Sequence, residues 1–563
     1  MRNISLLAVL ALVLFPACTL ILGETPTDTA PSPTVEGSPG APTDPGELNC
    51  IHFTGDEAPV VTGSLSGDAL AMSNDVFACS EDVVVASAQN MNELAAGAQL
   101  AAALGGPLLL PGDGLDAELS RLAPLRIHVI GDIDVEAPAT ADVSNISIGD
   151  AVDAAANALG VADEVRLPAV PDESTIVETI GAIVDGDRVV IPQTSPAVTP
   201  TSAPATRFDE AEIISGLAVA RDTARVWMTD VDDPAELLVV AATGRAADAA
   251  PVAYNSKDLF RHPEVSDALV GRWPDQILFV GDQPSGSRWK LNALINGMQL
   301  PGGGFEILPS GQQRRYVAFY GNEAAPGLGA LGEQGPRQTL ERMGPYLQAY
   351  RGDGSQVVAT FEILGSIASA TITDGDYSAE MSLESFDKWI DFALKNDVYV
   401  IIDLQPGYDN FLTQAKEFEE LLKLPNVGLA LDPEWRLAPG QVHLQQIGRV
   451  DSSEVNRVVR WLAKLVRDNG LPQKMIIVHQ FRDFMIENRS KLQSRPELQM
   501  VIQMDGDGPE FTKDETYAFL TQGTEDAHWR WGWKNFFDED EPAPPTPEST
   551  MSKDPVPVYV SYQ

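Results

Sequence analysis

Positive charge, cysteine and histidine are scarce in this chain. Its 563 residues include 38 Lys and Arg against 81 Asp and Glu, a formal net charge of -43. A field of that sign opposes contact with nucleic acid and with anionic polymers or lipids, so a nucleic-acid partner is excluded. Screening of the self-repulsion by salty or acidic surroundings accounts for so acidic a surface. The three cysteines and six histidines form no zinc spacing, and no acidic run has calcium-loop spacing, so no metal site is expected. There is no G-x-S-x-G elbow, no Walker loop and no H-E-x-x-H, and no cofactor is expected. Gly327-Leu-Gly-Ala-Leu-Gly332 fits G-x-G-x-x-G, but the connection from Phe319 to Pro336 is too long for the tight turn of a dinucleotide site. Long apolar runs are also missing: Ile4 to Phe15 is too short for a comfortable transmembrane helix.

Arg2, that apolar stretch and Ala17 directly before Cys18 follow the order of charge, core and cleavage site in a secretory signal. Glu24 to Asn49 is rich in Pro, Thr, Ser, Gly and acid, a composition that cannot bury apolar surface and reads as a tether. Phe15-Pro16-Ala17-Cys18 resembles the lipobox of bacterial lipoproteins. The resemblance implies acylation of Cys18 and an extracellular protein held on the outer face of the membrane or in the wall, with membrane contact through that lipid alone. With Cys18 spent, Cys50 and Cys79 remain, and an oxidising exterior pairs them. The alternative is an ordinary secreted protein with Cys18 unlipidated. The expected segments are a signal at 1–18, the tether at 19–49, an α/β region at 50–305 and a second domain at 312–563.

The α/β region alternates short apolar runs with Ala-rich helices. Val83-Val-Val-Ala86, a helix from Asn92 to Leu104, Pro107-Leu-Leu-Leu-Pro111 and Arg126-Ile-His-Val-Ile-Gly131 imply parallel strands buried on both faces. The order returns at Arg225 to Thr229, Glu236 to Ala247, Pro251 to Tyr254 and Gln276 to Asp282, with a divergent middle copy between Val165 and Gln193. Gly105-Gly-Pro-Leu-Leu-Leu110 and Val129-Ile-Gly-Asp132 resemble the type 2 cell-wall-binding repeat. What the resemblance implies is a stack of three small doubly wound units that attaches a surface protein to cell-wall polysaccharide or peptidoglycan. The family's Asp-Ala-Leu segment is represented here by Asn92-Glu93-Leu94. A spacer without a ligand of its own is the other reading of these units.

From Arg314 the alternation lengthens. Apolar strands are expected at Tyr316–Tyr320, Gln356–Phe361, Tyr399–Ile402, Val427–Leu431, Met475–Val478, Met500–Gln503, Trp529–Phe536 and Val556–Tyr562. Between them run helices of the right period, one with Trp389 and Leu394 on its buried face, another capped by Asp451 with Glu454 completing a capping box. Eight strands predict a (β/α)8, TIM-like barrel. The acidic, Pro-rich stretch from Asp538 to Pro555 stands where a seventh helix belongs and no eighth helix follows, so the barrel is expected to be incomplete there, with the N-terminal half covering the gaps. An open doubly wound sheet is the alternative.

Barrel function sits at the carboxyl ends of strands, and here these ends carry Glu362, Asp403, Tyr408, Asp432, Glu434, His479, Gln480, Asp505, Trp531, Trp533 and Asn535. Carboxylates facing across a mouth are what glycoside hydrolysis needs, one protonated and one ionised, about 5 to 9.5 Å apart. Leu431-Asp-Pro-Glu-Trp435 is similar to the Asp-x-Glu at strand ends of muramidase-type barrel glycosidases. Glu434 is therefore expected to be the general acid beside Asp432, with Glu362, Asp403 or Asp505 as second carboxylate. Tyr408, His479, Gln480, Trp531, Trp533 and Asn535 are expected to bind substrate, the tryptophans as stacking faces for sugar rings. The reading is a glycan-hydrolysing surface protein, and its alternative is a non-catalytic wall adhesin. Ion pairing of the carboxylates with Arg436, Arg482 or Lys534 is the purely structural account of the same residues.

Overall fold

The computed structural model describes residues 50–51, 64–161, 164–166, 173–191, 223, 225–255, 258–273, 276–281, 287–369 and 375–563. The expected signal, Cys18, the tether and Asp282 lie outside them. No helix among the described residues is long and apolar enough to cross a membrane.

In the N-terminal half every strand of three separate sheets is parallel. One sheet has the order Leu108–Leu109, Asp82–Ala86, Arg126–Ile130, Asp142–Ile146; a second pairs Glu164–Arg166 with Val189–Ile191; the third is Ala249–Tyr254, Arg225–Asp230, Ile277–Phe279. The expected stack of like units is not shown: among the described residues the three sheets have four, two and three strands and share one apolar cluster. Alanine allows that sharing: the helix Met91–Leu104 has side chains short enough to touch the helices Ile148–Leu159, Glu173–Asp185 and Pro234–Ala246 at once. Gln99 fixes the contact by donating to Val190 O (2.9 Å) and accepting from Val190 N (2.7 Å). A local device does recur. In the first sheet Glu93 lies against Gly131 (φ 105°), where a Cβ would come within 2.5 Å of its carboxylate. In the third, Glu236 lies in the same way against Gly281 (φ 82°), at 2.7 Å.

The C-terminal half is a closed barrel of eight parallel strands, and the expectation of an incomplete one fails. The strands are Arg314–Gly321, Gln356–Leu364, Tyr399–Leu404, Val427–Leu431, Lys474–His479, Leu498–Met504, Arg530–Asn535 and Tyr559–Tyr562, and the last pairs with the first. Closure does not need an eighth helix. A short helix, Pro547–Met551, follows the seventh strand, and Phe319, Tyr346, Phe537 and Tyr562 form a ring cluster outside the seam. The gap is thus filled from the barrel's own sequence and not from the N-terminal half. The acidic stretch is pinned by Asp540, whose two oxygens accept from a buried Lys513 at 2.7 and 2.6 Å.

Alternate residues of each strand face inward. Tyr316, Ala318, Val358, Tyr399, Ile401, Ala430, Met475, Ile477, Val501 and Tyr559 make the inner core. Leu300 and Ile307 belong to the same cluster, so residues 298–308 close the base of the barrel. Tyr316 Oη donates to Ile307 O (3.2 Å), Arg314 to the carbonyls of Gly302, Gly303 and Glu306, and Gln473 N to Phe305 O (2.8 Å). Beside the base, Trp289 Nε1 of the helix Ser287–Asn296 donates to Leu471 O (2.9 Å).

Candidate active site

The inward register that builds the core also builds the mouth. Continuing by twos from the core residues gives Tyr320, Glu362, Asp403, Asp432, His479, Gln503 and Asp505, Lys534 and Ser561, one set per strand end. His479, fully buried, is the hub. Its Nε2 is 3.2 Å from Glu362 Oε1, its Nδ1 is 3.1 Å from Asp505 Oδ2 and 3.9 Å from Asp432 Oδ2. Tyr559 Oη donates to Glu362 Oε2 and Tyr320 Oη to Asp403 Oδ2, each at 3.0 Å. Gln405 Nε2 donates to Tyr320 Oη (3.2 Å) and Asp432 Oδ2 (3.5 Å), and Lys534 Nζ stands 3.6 Å over the Tyr320 ring. Asp403 Oδ1 and Asp505 Oδ1 are buried without a hydrogen-bond partner.

Glu434 sits one short turn beyond Asp432, which caps that turn by accepting from Glu434 N (3.2 Å). Its carboxyl, half-buried at the rim, is pushed up to about 7 by burial and then by the Asp505 charge, with Lys534 and His479 pulling the other way. Burial also raises Asp432 well above the carboxylate range, only partly offset by His479, and raises Asp403. For His479 burial opposes the charged form, but the carboxylates of Asp403, Asp505 and Glu362 prevail and its pKa rises well above the ordinary value. The arrangement is an acid of raised pKa at the solvent edge, backed by a buried cluster of carboxylates around one imidazole.

Five expected residues therefore converge: Glu362, Asp403, Asp432, His479 and Asp505, with Glu434 at the rim. The others do not line the mouth. Trp531, Trp533 and Asn535 have the opposite parity and point into the helix layer: both tryptophans meet Tyr517, and Trp533 Nε1 donates to Asn535 Oδ1 (2.9 Å). Gln480 also points away from the hub, accepting from Arg489 (2.7 Å) and donating to the carbonyls of Arg482 and Asp483. Tyr408 donates to Gln441 O and braces the loop after the fourth strand. Of the structural partners considered, Arg436 pairs with Glu454 (3.1 Å), leaving Glu434 to the mouth. Tyr320, Lys534, Gln503, Ser561 and Tyr559 are mouth residues that a motif search passes over, although strand parity points to all five. Gly327 to Gly332 forms two short turns laid against the end of the first strand, where a Cβ on Gly329 would be 2.5 Å from Tyr320 O; this is backbone packing.

No family model and no curated protein matches the chain. Among solved structures it is similar to Cwp6 from Clostridium difficile, with 13% identity over 59% of this chain and 68% of that one, at a TM-score of 0.33. Cwp8 from the same organism gives 12% identity over 44% of this chain and 53% of that one, also at 0.33. The cellulose synthase subunit Z of Clostridioides difficile gives 10% identity over 44% of this chain and 92% of that one, at 0.26. With every TM-score below 0.5, the functional reading stands on the residues.

Proposed function

We propose that this chain is an exported surface protein whose barrel hydrolyses a wall glycan, with Glu434 as general acid and Asp505 as the second carboxylate. The observation that carries the reading is the half-buried Glu434 carboxyl at the mouth, raised to about 7 and facing the charge of Asp505. Asp505 is preferred to Glu362 and Asp403 because, of the three, it acts most strongly on Glu434. The deeper pair is tied to tyrosines. Asp432 holds the Glu434 turn, and the positive charges of His479 and Lys534 oppose the rise that burial and Asp505 impose on Glu434. Apolar contact with sugar faces falls to Phe484 and Phe511, both exposed on the segments after the fifth and sixth strands.

The same reading gives Cys18 a lipid, assigns 50–305 to wall attachment and 312–563 to the enzyme, and joins Cys50 to Cys79. The bridge is supported by the register of the first two strands, which sets Cys50 opposite Cys79. The recurring Glu93–Gly131 and Glu236–Gly281 contacts support related origins for the first and third sheets. The outward tryptophans favour the second reading, a non-catalytic adhesin, because they remove the aromatic platforms from the mouth. Release of reducing ends from purified peptidoglycan and wall polysaccharide, by the parent and by Glu434→Gln, decides between them. Product from the parent alone establishes the hydrolase; co-sedimentation of both with walls and product from neither establishes the adhesin.

A further inference from the structure

Four carboxylates surround His479: Glu362, Asp403, Asp432 and Asp505, none more than 7% exposed. Protein cations at this depth are His479 and Lys534, so the cluster is short of positive charge, a deficit that protons or a metal ion must make up. We infer that the mouth holds one first-row divalent cation, ligated by Glu362, Asp403 and His479 Nε2. One donor atom from each of the three residues lies within 4.8 Å of the other two, a spacing that a single ion spans.

Two features beyond the acidic cluster point to an ion. Asp403 is wholly buried yet keeps Oδ1 without any hydrogen-bond partner, an arrangement that is costly unless something positive meets it. The surroundings also have the form of an outer shell. Tyr559 and Tyr320 hold the second oxygens of Glu362 and Asp403, and the carboxylate of Asp505 stands 3.1 Å from His479 Nδ1, leaving Nε2 on the Glu362 side. Ligating carboxylates at metal sites are themselves hydrogen-bonded in this way, as Glu362 and Asp403 are here. A second trio, Asp432, Asp505 and His479, has a comparable span. Both oxygens of its Asp432 are already engaged, by Glu434 N and Gln405, and Asp432 Oδ2 is 3.9 Å from Nδ1. One imidazole nitrogen with two carboxylates selects zinc, manganese or ferrous iron over calcium or magnesium. This inference does not rest on the hydrolase reading.

The test is metal binding by the full chain, stripped with a chelator and titrated with Zn²⁺ or Mn²⁺ at about 0.5 M NaCl, which suppresses ions held only by the acidic surface. The expected result is one equivalent per chain by elemental analysis and calorimetry, a raised Tm, and at least a tenfold loss of affinity in Asp403→Asn and in His479→Gln. Asp403→Asn keeps the side-chain volume, and circular dichroism verifies its fold, so that a loss of binding is read at the site. Two results overturn the inference: no binding of either ion by the parent, which assigns the missing charge to protons, or equal binding by parent and variants, which assigns the ion to the surface. Neither result touches the reducing-end assay, so the failure of one reading is distinguishable from the failure of the other.

Discussion

In the proposed reaction Glu434 is the proton donor, and the burial that raises its pKa leaves the residue only half-buried at the rim. As an acid it works only while protonated, so kcat/KM should fall by about tenfold per pH unit above about 7. Glu434→Gln should lower kcat by roughly 10²- to 10⁴-fold, read from initial rates on a soluble wall fragment. At the other end of the barrel, Lys474 is wholly buried and donates to the carbonyls of Leu424 and Val427, and burial lowers its pKa to about 7. Above 7 the folded chain holds Lys474 neutral while the unfolded chain still binds the proton up to its ordinary value of 10.5. Stability conferred by this residue should therefore rise between pH 7 and 10, by up to about 1.4 kcal/mol per unit. Below 7 both states carry the charge and the gain is absent. Urea unfolding of the parent and of Lys474→Met across that window checks the sign. Which side chains meet in the mouth was legible in the sequence wherever the strand register was: Glu362, Asp403, Asp432 and His479 share one parity with the core. Gln480, Trp531, Trp533 and Asn535 offer suitable chemistry at strand ends, but by the same register they belong to the opposite face.

At the scale of elements, the stretch expected to leave the barrel open is the one that locks it. Asp540 accepts two bonds from Lys513 and a third from Phe536 N (2.9 Å), all buried. Asp540→Ala leaves an unpaired buried ammonium, and a loss of about 3 to 5 kcal/mol is expected in chemical denaturation. Composition could not reveal this, since an Asp in a Pro-rich acidic run reads as solvated until its partner is placed, 27 residues away. Helix Ser452–Asp468 was legible in period and position. Its expected capping box does not form, however, because Glu454 turns to Arg436 while Asp451 alone caps the helix. Leu394, read as buried, is 47% exposed. The boundary between the two expected regions was the least legible. The α/β region was expected to run to 305 and the barrel to begin at 312, yet Leu300 and Ile307 are buried among the barrel's inner residues. Ile307→Ala should cost about 3 kcal/mol, the loss of a true core residue, measured by urea unfolding of the whole chain.

For the whole molecule the governing quantity is the charge of -43. Self-repulsion of that size opposes the compact state, so Tm should rise as NaCl is increased from about 0.02 to 0.5 M, over which the screening length shrinks several-fold. A Tm independent of salt would show that the acidic groups are spaced too widely to repel. The salt response and the local pairings are separable, because Lys513 with Asp540 is buried and little screened. The plug at the base has a mechanical side as well. The chain enters the barrel through the segment that seals it, and the ring of carboxylates lies at the opposite end. A pull on the N-terminal half should therefore be shared between the Arg314, Tyr316 and Gln473 bonds to residues 302–307 and the bonds of Trp289 and Asn296 to residues 469–471, all far from the carboxylates.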